Sequence, residues 1–306
     1  MNSDTALSFD KVVKRYGATV AVDRLTFDVR RGEMFGLIGP DGAGKTTSIR
    51  VLCGLSRPDA GEIRVLGLDP VRQHREITGK VGYLSQRFSL YGDLSIDENI
   101  GFFAEIHGVN DYAARRHRLL EMTQLTQFRS RLADQLSGGM KQKLALACTL
   151  VHEPEIIILD EPTTGVDPVS RREFWKLLSQ FLAAGITIVI STPYLDEAER
   201  CTRVALLDQG RLLALDAPDA LRAGLPGTLL EVIVPDPRTA QATLRESAYQ
   251  SQVFGDRLHV WMPNVAGPAV DQFTELAAST VGATHVRPIT PSLEDVYIAR
   301  LSEAQQ

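Results

Sequence analysis

The stretch that most constrains this chain is Gly39-Pro40-Asp41-Gly42-Ala43-Gly44-Lys45-Thr46, which fits G-x-x-x-x-G-K-[ST]. Its flanks matter as much as its letters. The apolar run Met34–Ile38 precedes it as a buried strand, and Thr47–Leu52 continues it as a helix. Glycines let backbone N–H groups wrap a polyphosphate, and the helix N-terminus that follows favours negative charge. Lys45 then reaches the β/γ oxygens, and the Thr46 hydroxyl is a ligand for Mg²⁺. Thr47 opens the helix behind them.

Far downstream, Ile156-Ile157-Ile158-Leu159 ends in Asp160-Glu161. Two carboxylates at the end of a buried strand suit two tasks. Asp160 suits a contact to Mg²⁺ through water, and Glu161 suits a general base that polarises an attacking water. With the Lys45 loop, this describes an Mg-nucleotide hydrolase. No NKxD-type sequence is present to read guanine, which favours ATP over GTP.

The rest of the chain supports an α/β reading. Met34–Ile38, Val81–Leu84, Ile156–Leu159 and Ile186–Ile190 are nearly unbroken apolar runs, as expected of strands buried on both faces of a mostly parallel sheet. Half-polar strands at Leu7–Phe9, Ala21–Val29, Gly61–Leu66, Arg203–Leu207 and Arg211–Leu215 read as antiparallel additions at the sheet's edge. Ile96–Ile106 and Tyr112–Leu125 carry apolar residues at helical spacing, so residues from about 87 to 136 read as a helical insertion. A Pro/Gly-containing stretch, Ala217–Gly227, marks a boundary, which divides the chain into 1–222 and 223–306. The second part reads β-α-β-β-α-β, a small ferredoxin-like module. Its hairpin turns at Gly255-Asp256, and Ser292 with Asp295 forms a capping box on the last helix.

Composition excludes several classes. Across 306 residues, 33 basic and 38 acidic side chains give a net charge of −5, which argues against a nucleic-acid partner held by a broad basic face. No apolar run approaches the length of a membrane span, so a membrane link must go through a partner. Met1-Asn2-Ser3-Asp4 opens no secretory signal. Cys53, Cys148 and Cys201 are far apart and belong to no Cys/His cluster, so they read as buried, reduced thiols.

Leu136-Ser137-Gly138-Gly139-Met140-Lys141-Gln142 makes the reading specific. Ser137, Gly138 and Gly139 open a helix and so offer a second anion-binding terminus in a chain with one phosphate loop. In this order with the phosphate loop and the Asp160-Glu161 strand, the sequence resembles an ATP-binding cassette (ABC) protein over roughly residues 6–222. The resemblance implies a P-loop NTPase cassette with a mixed sheet, antiparallel edge strands and a helical insertion, followed by the small α+β domain. It also implies head-to-tail dimerisation, homomeric or heteromeric, with each ATP between one cassette's phosphate loop and the other's signature. By the same resemblance Tyr16 stacks on adenine, Gln86 contacts Mg²⁺ and the attacking water, and Asp167 crosses the dimer interface.

Two positions depart from the family pattern. Asp41 stands where many members have asparagine. In Ser191-Thr192-Pro193-Tyr194, Pro193 stands where the family usually has a histidine that contacts the γ-phosphate, and proline offers neither a side-chain donor nor a backbone N–H. Loss of one preorganised donor costs on the order of 10²–10³ in rate, so this chain's own ATP site is expected to turn over slowly.

The cassette's usual partners are integral membrane permease subunits, engaged through a groove beside the Gln86 loop, where Tyr83–Tyr91 is rich in aromatics. The ending Pro291–Tyr297 resembles that of drug- and antibiotic-type exporters of the ABC-2 class, and it points to a bacterial protein peripheral to the cytoplasmic face of the membrane. Competing readings are a soluble ABC ATPase acting on ribosomes or nucleic acid, and a largely inactive regulatory cassette. The chain has one cassette and only a short segment between Gln86 and Ser137, unlike the two-cassette translation and coiled-coil DNA-repair members of the family.

Overall fold

The computed structural model describes residues 4–86, 89–246, 249–262 and 268–304. In chain order the elements are β1 (Thr5–Tyr16), β2 (Thr19–Arg30), β3 (Met34–Ile38), α1 (Lys45–Leu52), β4 (Ala60–Val65), α2 (His74–Thr78), β5 (Val81–Leu84), α3 (Ile96–Ile106) and α4 (Ala113–Met122). There follow α5 (Gly138–Leu150), β6 (Ile156–Asp160), α6 (Pro168–Ala183), β7 (Thr187–Thr192), α7 (Leu195–Ala198), β8 (Arg203–Asp208), β9 (Arg211–Asp216) and α8 (Pro218–Ala223). The last are β10 (Thr228–Ile233), α9 (Pro237–Glu246), β11 (Gln250–Phe254), β12 (Arg257–Met262), α10 (Pro268–Val281), β13 (His285–Ile289) and α11 (Leu293–Ala304). Contacts divide the chain between Pro218 and Asp219.

A six-stranded sheet in the order β5-β6-β7-β3-β8-β9 positions the site. Every residue of β3, β6 and β7 is buried, which is why these strands carry no polar alternation. Their registers are level: Ile38 pairs with Thr192, and Asp160 pairs with Ser191. The segments that leave β3, β6 and β7 therefore emerge side by side at the carboxyl edge, where parallel α/β sheets place their ligands.

Two expectations about edge strands are corrected. The segment Arg203–Leu207 is not an antiparallel addition: β8 runs parallel to β3, and only β9 is antiparallel, at the edge. Val204–Leu207 is buried throughout, as a strand covered on both faces must be, whereas β9 is only partly buried. The three N-terminal strands do not join the large sheet. They form a separate antiparallel sheet in the order β2-β1-β4. β2 alternates buried and exposed residues from Leu25 on, as one-sided burial requires, and the sheet docks through a stack of rings, with Phe9 on Phe27 at 4.5 Å and Phe27 on Phe35 of β3 at 5.3 Å.

Among the described residues, 85–155 contain helices and no strand, and the helical insertion expected over about 87–136 lies within that stretch. Ser95 begins α3 with a capping box closed by Glu98. Buried Asn99 bonds the backbone of Tyr91, Leu94 and Ser95 and so fixes the approach to that helix. Arg87 and Phe88, part of the aromatic stretch, lie outside the described residues, as do Met1–Ser3.

In the second unit, β10–β13 form an antiparallel sheet in the order β11-β12-β10-β13, the arrangement that a β-α-β-β-α-β chain gives when both helices cover one face. Leu230, Val232, Leu258 and Val260 meet Leu244, Phe273 and Ala277 there. Ser292 and Asp295 exchange hydrogen bonds at the start of α11, and Asp295 also holds His259 Nδ1 at 2.8 Å. No helix among the described residues is long and apolar enough to cross a membrane.

Candidate nucleotide site

Close packing forces the shape of the loop between β3 and α1. A Cβ on Gly39 would lie 2.3 Å from the Leu207 carbonyl, and one on Gly44 would lie 2.5 Å from that of Ala21. Gly44 also has φ 97°, which favours glycine on conformational grounds alone. Gly42, with φ 82°, faces open space, so the loop is tight where it meets the sheets and clear where a ligand would sit. Ala43 is buried while Pro40 and Asp41 are exposed.

Lys45 is almost fully buried, and its Nζ donates to the carbonyls of Gly39 at 2.8 Å and Pro40 at 3.0 Å. The same ammonium lies 3.1 Å from Glu161 Oε1, with side-chain exposures of 4% and 8%. The other carboxylate oxygen of Glu161 accepts from Gln86 Nε2 at 3.0 Å and from Thr164 Oγ1 at 3.4 Å. The structure thus brings Lys45, Gln86 and Glu161, far apart in the chain, to one point.

Asp160 and Thr46 make the adjoining half of the site. Asp160 Oδ1 accepts from Thr46 Oγ1 at 3.1 Å and from Ser191 Oγ at 2.7 Å. Burial raises the Asp160 carboxyl above the usual carboxylate range, and the Ser191 and Thr46 hydroxyls pull against that shift. One carboxylate and one hydroxyl, both hard oxygen donors, suit Mg²⁺, which keeps waters and phosphate oxygens as its remaining ligands. Among the described residues no group of three or more His, Cys, Asp or Glu could hold a metal by itself. The donor set therefore fits an ion that arrives with its nucleotide.

Glu161 sits in the left-handed region at φ 47°, an uncommon backbone for a side chain with a Cβ. Its N–H donates to both Ser191 O at 3.1 Å and Ser191 Oγ at 3.0 Å. Ser191 thus serves both acidic residues at once, a function the sequence reading missed. Its role follows from the Asp160–Ser191 register, which no local stretch of sequence signals.

The remaining residues lie apart from this cluster. Tyr16 is 49% exposed at the β1–β2 turn, with Lys14 Nζ 5.3 Å from its ring centre. Ser137 caps α5 by accepting from Met140 N, and Ser137 and Gly138 are exposed. Gly139 is buried against the Ser170 side chain, where a Cβ would collide. Asp167 caps α6 through Val169 N and Ser170 N, and the Ser170 N–H holds its carboxyl below the usual range. Among the described residues no hydrogen bond or ion pair joins Ser137–Gly139 or Asp167 to the phosphate loop. Pro193 lies in the bend between β7 and α7.

Residues 22–164 match the sequence family described as ABC transporter. The chain is 42% identical over 222 residues to the "Probable multidrug ABC transporter ATP-binding protein YbhF" of Escherichia coli (strain K12), which covers 72% of this chain and 38% of that protein. It is 40% identical over 263 residues to the "Nod factor export ATP-binding protein I" of Paraburkholderia xenovorans (strain LB400), covering 85% of this chain and 86% of that one. Among solved structures, a dimeric ATP-binding cassette in a post-hydrolysis state bound to ADP and Pi superposes with a TM-score of 0.61 at 25% identity, covering 69% of this chain and 98% of that one.

Proposed function

Because this chain belongs to the ATP-binding, ATP-hydrolysing cassette proteins of ABC transporters, we propose that it is the motor subunit of an exporter whose pore is a separate membrane polypeptide. The observation that carries the reading is the buried Lys45–Glu161 pair, joined by the exposed Gln86, beside the Thr46–Asp160 pair. Lys45 leaves the loop carbonyls and Glu161 for the β/γ oxygens of ATP. Glu161, released from the ammonium, accepts a proton from the attacking water, and Gln86 orients that water. Thr46 and Asp160 would hold Mg²⁺, which would neutralise charge on the phosphates.

Ser137, Gly138 and Gly139 complete the ATP site of a second cassette, since the exposed start of α5 bonds nothing in its own phosphate loop. Asp167, exposed beside it, meets the same partner. Tyr16 supplies a ring for adenine, and Gly39–Thr47 wrap the phosphates. The ADP- and Pi-bound dimer to which this chain is similar supports a paired arrangement. Similarity to a probable multidrug ABC transporter protein and to a Nod factor export protein supports export; in this reading the cargo is drugs or other small amphipathic molecules, and the protein is peripheral to the cytoplasmic face of the membrane. Cassette and C-terminal domain divide at residues 222–223 in this reading.

Pro193 makes this chain's own site slow. Pro193→His is expected to raise steady-state ATP hydrolysis by about tenfold or more, as restoring a preorganised donor would. Robust hydrolysis by the parent with no gain in the variant would overturn that assignment. For the motor role, co-purification of the tagged protein from detergent-solubilised membranes with an integral membrane subunit is the expected result. Recovery solely with ribosomes or DNA refutes it.

A further inference from the structure

Glu197 of α7 follows Pro193 by one helical turn and is 1% exposed. A carboxylate so deeply buried is tolerated when it is paired and hydrogen-bonded. This one accepts from two hydroxyls that belong to two different strand ends. Thr163 Oγ1 donates to Oε1 at 2.6 Å, and Thr192 Oγ1 donates to Oε2 at 2.7 Å. Arg171 of α6 brings its Nε to 3.5 Å from Oε1 and stacks over the Tyr194 ring at 4.6 Å. Thr192 closes β7, and its hydroxyl also accepts from Tyr194 N at 3.1 Å, across Pro193. Thr163 belongs to the turn that starts at Glu161. Gln142 of α5, also buried, grips the same turn from another side by donating to the Pro162 carbonyl.

The turn needs this support. Glu161 holds a left-handed backbone, and its carboxylate is anchored to Lys45 and Gln86, partners it must release or share when nucleotide and water enter. Once Lys45 turns to the phosphates, the place of the Glu161 carboxylate depends on its backbone. That backbone is fixed by Ser191 on one side and by the Pro162–Thr163 contacts on the other.

We propose that Glu197 is a positioning residue for ATP hydrolysis, which through Thr163 and Thr192 locks the Glu161 turn to the end of β7 and keeps the base in place after Lys45 departs. The proposal rests on the assignment of Glu161 as the base. It also gives the Pro193 segment a task that needs no side-chain donor at position 193, because Thr192 and Glu197 flank the proline and brace it from both sides.

The test is single-turnover hydrolysis with protein in excess over ATP, alongside affinity for a fluorescent ATP analogue and the melting temperature. Glu197→Ala is expected to lose about tenfold or more in rate while nucleotide affinity stays within about twofold, because a displaced base costs rate and not binding. Thr163→Val is expected to lose rate severalfold, and Thr163→Ser, which keeps the hydroxyl, to recover it. A folded Glu197→Ala protein that hydrolyses at the parent rate refutes the proposal. So does a rate loss matched by an equal loss of affinity, or equal rates for the Val and Ser variants of Thr163. Should Glu197→Ala fail to fold, the Thr163 pair decides alone. Glu161→Gln separates the two levels: parent-like hydrolysis there overturns the base assignment and this proposal with it. An inactive Glu161→Gln beside an unaffected Glu197→Ala overturns the positioning role alone.

Discussion

Lys45→Met probes the centre of the site through stability as well as activity. Lys45 Nζ lies 3.1 Å from Glu161 Oε1, both side chains are nearly inaccessible, and no other cation pairs with Glu161 among the described residues. Removing one partner of a buried pair leaves an uncompensated charge and costs about 3–5 kcal/mol. Gln86 and Thr164 still donate to the other oxygen of Glu161, which places the loss at the lower end, about 3 kcal/mol. For a unit of this size each kcal/mol moves the midpoint by roughly 2–4 °C, so nucleotide-free Lys45→Met is expected to melt about 6–12 °C below the parent. Adding Glu161→Gln removes the stranded charge while keeping an acceptor and a donor. The double variant should therefore melt above Lys45→Met, with a coupling on the order of 1 kcal/mol or more. Scanning calorimetry without nucleotide measures both. Repeating it with MgATP at about 100 times the parent's Kd should stabilise the parent by about 2.7 kcal/mol and Lys45→Met far less. If Lys45→Met melts with the parent, or the two substitutions simply add, the pair is not the coupled unit its geometry describes.

Asp160 should show a conflict between stability and function. Burial raises its carboxyl in the folded state. Its contribution to stability is therefore present below the unfolded-state value and is lost as pH rises through the folded one, so the ionised form is a cost at neutral pH. Nucleotide-free Asp160→Asn is expected to melt at or above the parent at pH 7, with the difference narrowing toward acid pH, and to lose Mg²⁺-dependent hydrolysis. A lower melting point at pH 7 would contradict this. The three cysteines should be chemically silent: burial pushes Cys53 and Cys201 up to about 12 and Cys148 higher still. Iodoacetamide at pH 8 is expected to label none of them in the native protein and all three in denaturant, and labelling of any native thiol at the rate of a free thiol would show the burial to be wrong.

Local patterns carried much of this molecule. The phosphate loop was legible because its glycines, lysine and threonine all fall within Gly39–Thr46, between an apolar strand and a helix. The start of α5 was legible for the same reason, since Ser137 caps the helix that Gly138 opens. Helix α3 is observed at the Ile96–Ile106 bounds its apolar spacing marks, and α11 begins at Leu293, directly after Ser292 of the capping box. Sheet membership was not legible. Arg203–Leu207 and the strands around Phe9 and Phe27 have the composition of strands, but which sheet each joins depends on what covers its faces.

The site divides along the same line. By itself the sequence determined that a phosphate loop, a strand-end carboxylate pair and a second helix terminus are present, because each is encoded within a few adjacent residues. The tertiary structure alone decided that Glu161 is neutralised by Lys45, that Ser191 serves both acidic residues, and that Glu197 ties Thr163 to Thr192. Apart from the local Thr192–Glu197 bond, those contacts join residues separated by other strands and helices, and they exist because β3, β6 and β7 end level at one edge of a parallel sheet. Register is a property of the assembled sheet, so no local stretch of sequence could have stated it.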